Sequence, residues 1–253
     1  MVAVASTTPG ALGVFSDFDG TLSHIITDRD AVRPVEGVVE SLCSLADVCG
    51  AAAVVSGRPV SFLDQFFSPP VELSGLYGIE HRSASGLVVD PTAMEWMPII
   101  TEIAADAEQR FGPEAVEDKT YSLTVHYRGA SSERAAEIEA WAEEVATAQG
   151  LHPRSAKMSV EMHPPISRDK GDAVADMLSG LSAAIYFGDD VGDRSAFLRL
   201  ASAHAEGALD AVASVLVKGP ETPENLTGDV TDVVATPEAA TAMLETLLNA
   251  ASG

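Results

Sequence analysis

The sequence predicts an α/β protein in which a parallel-sheet core is interrupted by a smaller α+β domain. Three observations carry this. At both ends of the chain, short apolar runs alternate with helical stripes, the pattern of strands joined by crossover helices. Between them the rhythm changes to long helices flanking alternating strand-like segments. The apolar runs of the outer parts end in acidic or Ser-Gly turns, at Asp17–Thr21, Ser56–Arg58 and Gly188–Asp193. The predicted core comprises 1–84 and 165–253, and the inserted domain 85–164.

The elements follow in order. Leu12 to Phe18 reads as a buried strand. Pro34 to Ala46 reads as a helix, with Val35, Val38, Val39, Leu42 and Leu45 on one stripe. Ala51 to Val55 is a second strand, ending in Ser56-Gly57-Arg58, and Pro59 suits the start of a helix through Phe62, Leu63 and Phe66. In the insert, Ile99 to Phe111 is helical and Ala115 to Tyr127 strand-like. Ser131 to Gln149 is an amphipathic helix capped by Gly150, with Ala135, Ile138, Ala142 and Val145 inward, and Leu151 to Met162 is a hairpin. The first rhythm then returns: a helix from Lys170 to Leu178, a strand from Ala183 to Phe187, a helix through Phe197 and Leu200, and a last helix opening at Thr236-Pro237-Glu238.

Among the 253 residues, 46% are hydrophobic and 21% charged, which suits a folded rather than a disordered chain. The formal net charge of -23 argues against binding nucleic-acid phosphates or anionic membranes. A small-molecule partner is expected instead, and a monomer. Cys43 and Cys49 read as buried free thiols, with no disulfide framework or zinc spacing. Met1 to Gly10 lacks the basic region and long apolar core of a signal peptide, and no apolar run reaches transmembrane length, so the expected compartment is the cytoplasm.

Chemistry concentrates where strands end. Asp17 and Asp19, two residues apart, would project together if both kept strand geometry. Asp-Gly alone reads better as a turn that simply ends the strand. Its partners change that: Ser56-Gly57-Arg58, Lys170-Gly171, and Asp189 and Asp190 with Asp193 fall at other strand ends or at a helix start. A parallel sheet gathers such residues at one edge. Crowded carboxylates call for a cation, and hard oxygen ligands select Mg2+ over zinc or copper. A serine hydroxyl, backbone N–H groups and a lysine ammonium match a phosphoryl group.

The motifs DFDGT (Asp17 to Thr21), VVSGR (Val54 to Arg58), DKG (Asp169 to Gly171) and GDDVGD (Gly188 to Asp193) together resemble those of the haloacid dehalogenase (HAD) superfamily. The resemblance implies a Rossmann-like parallel-sheet HAD core with an inserted α+β cap domain. It implies Asp17 as nucleophile, Asp19 as acid/base, and Ser56 and Lys170 holding the phosphoryl oxygens. Mg2+ would take Asp17, the backbone carbonyl of Asp19, and Asp189, with Asp193 supporting the shell. An acid at Asp19 points to phosphoryl transfer rather than dehalogenation.

Gly75-Leu76-Tyr77-Gly78-Ile79-Glu80-His81, Val125-His126-Tyr127-Arg128 and Lys157 to Pro164 extend the resemblance to the trehalose-6-phosphate phosphatases, over nearly the whole chain. That family implies a sugar-phosphate substrate, with Gly57, Arg58, Glu80, His126, Arg128, Lys157 and Glu161 as candidate substrate contacts. Three departures leave the sugar open: Gly192 and Arg194 replace a usual Thr and Glu, His163 stands where Arg is common, and the loop 165–168 differs. The implied reaction is Mg2+-dependent hydrolysis of trehalose 6-phosphate. The alternatives are another phosphorylated disaccharide or pseudo-disaccharide, or a silent sugar-phosphate binder. Asp190 reads as a helix cap or a metal-shell group, and Arg58 as a ligand contact or a solvated helix-start charge. Lys119 stays unassigned, and Trp96 and Trp141 read as packing residues.

Overall fold

The computed structural model describes every residue except Thr27, Arg29, Asp30, Lys157, Pro220 and Glu221, and the side chains of Ser155 and Ala156. It divides into two compact units, Met1–Val88 with Arg168–Gly253, and Val89–Ser167.

The first unit opens with α1 (Val2–Thr7), β1 (Leu12–Ser16), α2 (Val38–Val48), β2 (Ala51–Val55) and α3 (Val60–Leu63). Three further strands follow: β3 (Glu72–Gly75), β4 (Glu80–Ser83) and β5 (Gly86–Val89). The second unit holds α4 (Pro91–Phe111), β6 (Val116–Asp118), β7 (Leu123–His126), α5 (Ser132–Gln149), β8 (His152–Ala156) and β9 (Ser159–His163). The chain then returns to the first unit with α6 (Lys170–Asp176), β10 (Ala183–Gly188), α7 (Arg194–Ala205), β11 (Ala211–Val217), β12 (Asp232–Val234) and α8 (Pro237–Ser252).

The eight-stranded sheet of the first unit runs β12-β11-β10-β1-β2-β3-β4-β5, parallel from β12 to β3, with β4 antiparallel to β3. Alternation along the strands sorts side chains to its two faces. Leu12, Val14, Ala52, Val54, Ile185 and Phe187 join one core with Leu42 and Leu45 of α2 and Leu244 of α8. Phe15, Ala53, Val55, Ala184 and Tyr186 join another, with Val174 of α6 and Phe197 and Leu200 of α7. Each fully buried large apolar side chain contributes about 1.5–3 kcal/mol. The chain leaves β1 toward β2 on one side and reaches β10 on the other, so the connection order reverses beside β1, where open α/β sheets bind ligands.

The second unit is a four-stranded antiparallel sheet, β6-β7-β9-β8, with α4 and α5. Ile103, Ala107 and Phe111 pack with Ile138, Trp141 and Ala142 against Leu123, Val125 and Met162. β5 belongs to the first unit's sheet, so the second unit begins at Val89 rather than 85. Among the described residues no helix is long and apolar enough to cross a membrane.

Several boundaries depart from the sequence reading. β1 ends at Ser16, two residues before Phe18. α2 begins only at Val38, because Gly37 is left-handed at φ +85°. α3 is a single turn that stops before Phe66. α4 starts eight residues before Ile99, with Asp90 accepting from the Thr92 N–H at 2.8 Å and Pro91 in the first turn; it runs through Pro98, which lies inside the helix. The expected strand 115–127 is two strands, the turn between them fixed by Asp118 accepting from Thr120 N–H at 2.7 Å.

Candidate active site

The DFD segment is positioned by its middle residue. Phe18 is fully buried, with ring centroids 5.8 Å from Phe62, 5.9 Å from Phe66 and 6.2 Å from Phe67. Its carbonyl accepts from the N–H groups of Leu22 and Ser23, closing a tight turn. The two aspartates are therefore on the loop after β1 and do not share a strand face. Asp17 is buried, with its N–H donating to the Phe187 carbonyl of β10 at 2.8 Å, and Asp19 is partly open to solvent.

Lys170, the first residue of α6, carries a buried ammonium 2.8 Å from Asp17 Oδ1 and 2.7 Å from Asp193 Oδ1. Asp193 Oδ1 also accepts from Tyr186 Oη at 2.7 Å, and Oδ2 accepts from the N–H groups of Asp189 and Asp190 at 2.9 and 3.1 Å. Both oxygens of this fully buried carboxylate are thus occupied, which makes it a brace for Lys170 and the Asp189 loop. Burial pushes the Asp17 carboxyl well above the usual range; Lys170 opposes this, and Asp193, Asp189 and Asp190 add to it. Burial disfavours the Lys170 ammonium, but Asp17 and Asp193 outweigh it and hold its pKa well above the ordinary value.

Among the described residues, carboxylate oxygens of Asp17, Asp189 and Asp193 lie within 4.8 Å of one another. An all-oxygen, strongly negative donor set fits Mg2+. The chain also makes room for the Asp189 carboxylate: Gly20 sits at φ +85°, and a Cβ there would stand 2.3 Å from Asp189 Oδ2. The Asp19 carboxylate lies outside this cluster, since Arg58 holds it with Nε 2.9 Å from Oδ2 and Nη2 2.8 Å from Oδ1. The Arg58 guanidinium also lies 4.4 Å over the Phe62 ring, so Arg58 is an ordered group of the site and not a solvated charge. Asp190 Oδ1 accepts from Gly192 N–H at 2.8 Å, the capping geometry.

Ser56, at the end of β2, is buried, and its Oγ accepts from Arg58 N–H at 3.1 Å. Glu80 is turned inward: it is 7% exposed, and its Oε2 accepts from Val60 N–H at 2.6 Å. Burial raises its pKa, partly offset by that N–H.

The second unit has a polar cluster of its own. Glu161 is buried on β9, where Oε1 accepts from Lys119 Nζ at 2.7 Å and Ser122 Oγ at 3.2 Å, and His163 Nε2 lies 3.2 Å from Oε2. Burial alone would raise Glu161; Lys119 and His163 overcome it and hold the carboxyl well below the usual carboxylate range. His126 pairs with Glu117 at 3.0 Å. Arg128 is exposed on a turn beyond the end of β7 and shares no strand face with His126. Lys157 lies outside the described residues. Trp141 packs on Phe111 at 5.1 Å and donates to Asp106 at 3.0 Å, a packing role.

Tyr186 and Ser122 were missed by the sequence reading. Tyr186 left a signal, because a hydroxyl inside the buried run Ala183–Phe187 needs a partner.

A family model described as trehalose-phosphatase matches residues 15–227. The chain belongs to the trehalose-phosphatase family. The trehalose-phosphate phosphatase of Mycobacterium ulcerans is 33% identical over 196 residues, 73% of this chain and 50% of the relative. The chain thus spans about half the length of the curated relatives it matches. Among solved structures, a trehalose-6-phosphate phosphatase related protein superposes with a TM-score of 0.79 at 19% identity, over 94% of this chain and 97% of that one. A haloacid dehalogenase-like hydrolase from Bacteroides thetaiotaomicron gives 0.62 at 14% identity, over 92% and 98%. These likenesses show the fold: a HAD-like, Rossmann-type core.

Proposed function

We propose that the chain hydrolyses trehalose 6-phosphate to trehalose and phosphate through an aspartyl-phosphate on Asp17. The observation that carries this reading is the Lys170 ammonium between Asp17 and Asp193 beside the β1 switch point, in a chain of the trehalose-phosphatase family. An Asp17 oxygen attacks phosphorus as the bond to the sugar oxygen breaks, and Asp19 gives its proton to that leaving oxygen. Asp19 then takes a proton from water, whose oxygen attacks phosphorus as the bond to the Asp17 oxygen breaks, releasing phosphate and restoring the Asp17 carboxylate. Ser56 and Lys170 hold the phosphoryl oxygens. Mg2+, held by Asp17, the Asp19 carbonyl and Asp189, would supply Lewis-acid stabilisation of charge on those oxygens.

In this reading the second unit is a cap, with His126, Arg128, Lys157 and Glu161 as its sugar contacts. The reading also takes the enzyme to be a cytoplasmic monomer. A second substrate class, another phosphorylated disaccharide or pseudo-disaccharide, is favoured by His163, which faces Glu161 where the family commonly has Arg. A phosphate-release screen over sugar phosphates with Mg2+ separates the two. Trehalose 6-phosphate should be the best substrate, and Asp17→Asn should abolish turnover; full turnover by that variant would refute the mechanism. Lys157→Ala and Glu161→Ala should impair the sugar ester far more than p-nitrophenyl phosphate, and equal losses on both would remove the cap's sugar-reading role.

A further inference from the structure

The segment from Gly75 to Glu80 is folded tightly against the loop that follows β2. Gly75 and Glu80 are register partners across β3 and β4, and the residues between them make the turn. Leu76, Tyr77 and Gly78 take consecutive left-handed conformations, at φ +50°, +58° and +94°. For Leu and Tyr that conformation is penalised, and it persists only where the surroundings over-determine it. Leu76 is fully buried, which supplies one anchor.

The other anchors are contacts to the 56–60 loop. Leu76 N–H donates to the Arg58 carbonyl and Tyr77 N–H to the Ser56 carbonyl, each at 3.1 Å. Ser56 N–H donates to the Ser74 carbonyl at 2.9 Å, so both backbone polar groups of Ser56 are fixed from this side. Glu80 Oε2 takes the Val60 N–H at 2.6 Å. The Tyr77 ring lies over Gly57 so closely that a Cβ there would stand 2.7 Å from Tyr77 Oη.

We propose that Gly75–Glu80 is a clamp that sets the position of the Ser56–Arg58 loop, with Tyr77 and Glu80 as positioning residues for the phosphoryl group rather than contacts to the sugar. This rests on the functional reading above and assigns Glu80 a role different from the one the family resemblance implied. Glu80 Oε2 is committed to the loop through the Val60 N–H, and a displaced Ser56 would misplace the group it holds.

The test compares Glu80→Leu, which removes the acceptor, with Glu80→Gln, which keeps one, on trehalose 6-phosphate and on p-nitrophenyl phosphate. Glu80→Leu should lower kcat/KM by about 10- to 100-fold on both esters, the scale of a misplacement near 1 Å, and weaken inorganic phosphate binding by calorimetry. Glu80→Gln should stay within about threefold of wild type on all three readouts. Loss confined to the sugar ester would make Glu80 a sugar contact and overturn the clamp, as would Glu80→Leu behaving like wild type. Should Glu80→Leu not fold, Tyr77→Asn removes the ring while tolerating the left-handed backbone, and the same outcomes apply. A wild-type protein that hydrolyses neither ester would sink the functional reading alone. Phosphate affinity lowered by Glu80→Leu and kept by Glu80→Gln would still support the clamp, and unchanged affinity would overturn it.

Discussion

Arg58 grips both carboxylate oxygens of Asp19, across a separation of 39 residues, while its guanidinium lies 4.4 Å over Phe62. The end of β2 therefore orients the residue read as the acid/base of a motif that begins at the end of β1. Phe62 packs against Phe18, the residue between the two aspartates, so the same aromatic cluster seats both partners of the fork.

A lysine cannot reproduce that two-point grip or the flat stacking on Phe62. Arg58→Lys is expected to leave Asp19 beside a cation but loosely oriented. General acid catalysis contributes about 10²–10⁴-fold, so partial loss of alignment should lower kcat on the sugar ester by about 10- to 100-fold. The loss on p-nitrophenyl phosphate should be smaller, because nitrophenolate departs with little protonation. Steady-state kinetics on both esters checks this, and equal losses would mean that Arg58 acts on the phosphoryl group itself.

Asp193 is fully buried and accepts from Lys170, Tyr186 and two backbone N–H groups. An asparagine supplies only one accepting atom and turns an NH2 group toward either the ammonium and hydroxyl or the two amides. Lys170 keeps its pair with Asp17, so the cost is that of the buried hydrogen-bonding groups left unsatisfied, about 1–3 kcal/mol. Asp193→Asn should lose that much stability in urea denaturation, together with activity. A loss below about 1 kcal/mol would show that the brace does not stabilise the fold.

What the sequence disclosed follows a physical division. The apolar runs of β1, β2 and β10 and the turns after them were legible, because burial on both faces and an acidic or Ser-Gly ending leave a strong pattern. Strands β3, β4 and β5 were not, since each is four residues long and β5 is largely exposed. Asp17, Lys170 and Asp189 could be found from their motifs. The orientation of Asp19 could not, because it depends on Arg58 and on Phe18 ending the strand geometry. Glu80 was visible as a carboxylate, but its Val60 partner exists only once β3 and β4 are paired.

Gly20 occupies a left-handed position with the Asp189 carboxylate 2.3 Å from where a Cβ would lie. Gly20→Ala imposes both a backbone penalty and a displacement of Asp189. Disturbing the surroundings of a metal ligand typically costs 10- to 100-fold in metal affinity. The Mg2+ concentration for half-maximal activity should therefore rise by about tenfold or more, with far-UV circular dichroism unchanged. An unaltered Mg2+ requirement would separate Asp189 from cation binding.

Glu161 offers a pH test confined to the second unit, which contains both tryptophans of the chain, Trp96 in α4 and Trp141 in α5. Burial alone would raise its pKa, but Lys119 and His163 hold the folded value well below the usual range. The folded state then binds fewer protons than the unfolded one. The stability this contributes is complete above the unfolded glutamate value of about 4.3 and is lost as pH falls below it. In Lys119→Met the carboxylate keeps its burial penalty and loses its nearest cation, so the variant should be markedly less stable at pH 7. As pH falls, the variant's buried Glu161 takes up a proton and sheds its penalty, whereas the folded wild type keeps its charge and loses stability below about 4.3, so the gap between them should narrow. Urea midpoints followed by tryptophan fluorescence at pH 7 and pH 4 measure that gap. A gap that stays constant with pH would assign the effect of Lys119 to packing of its side chain instead of its charge.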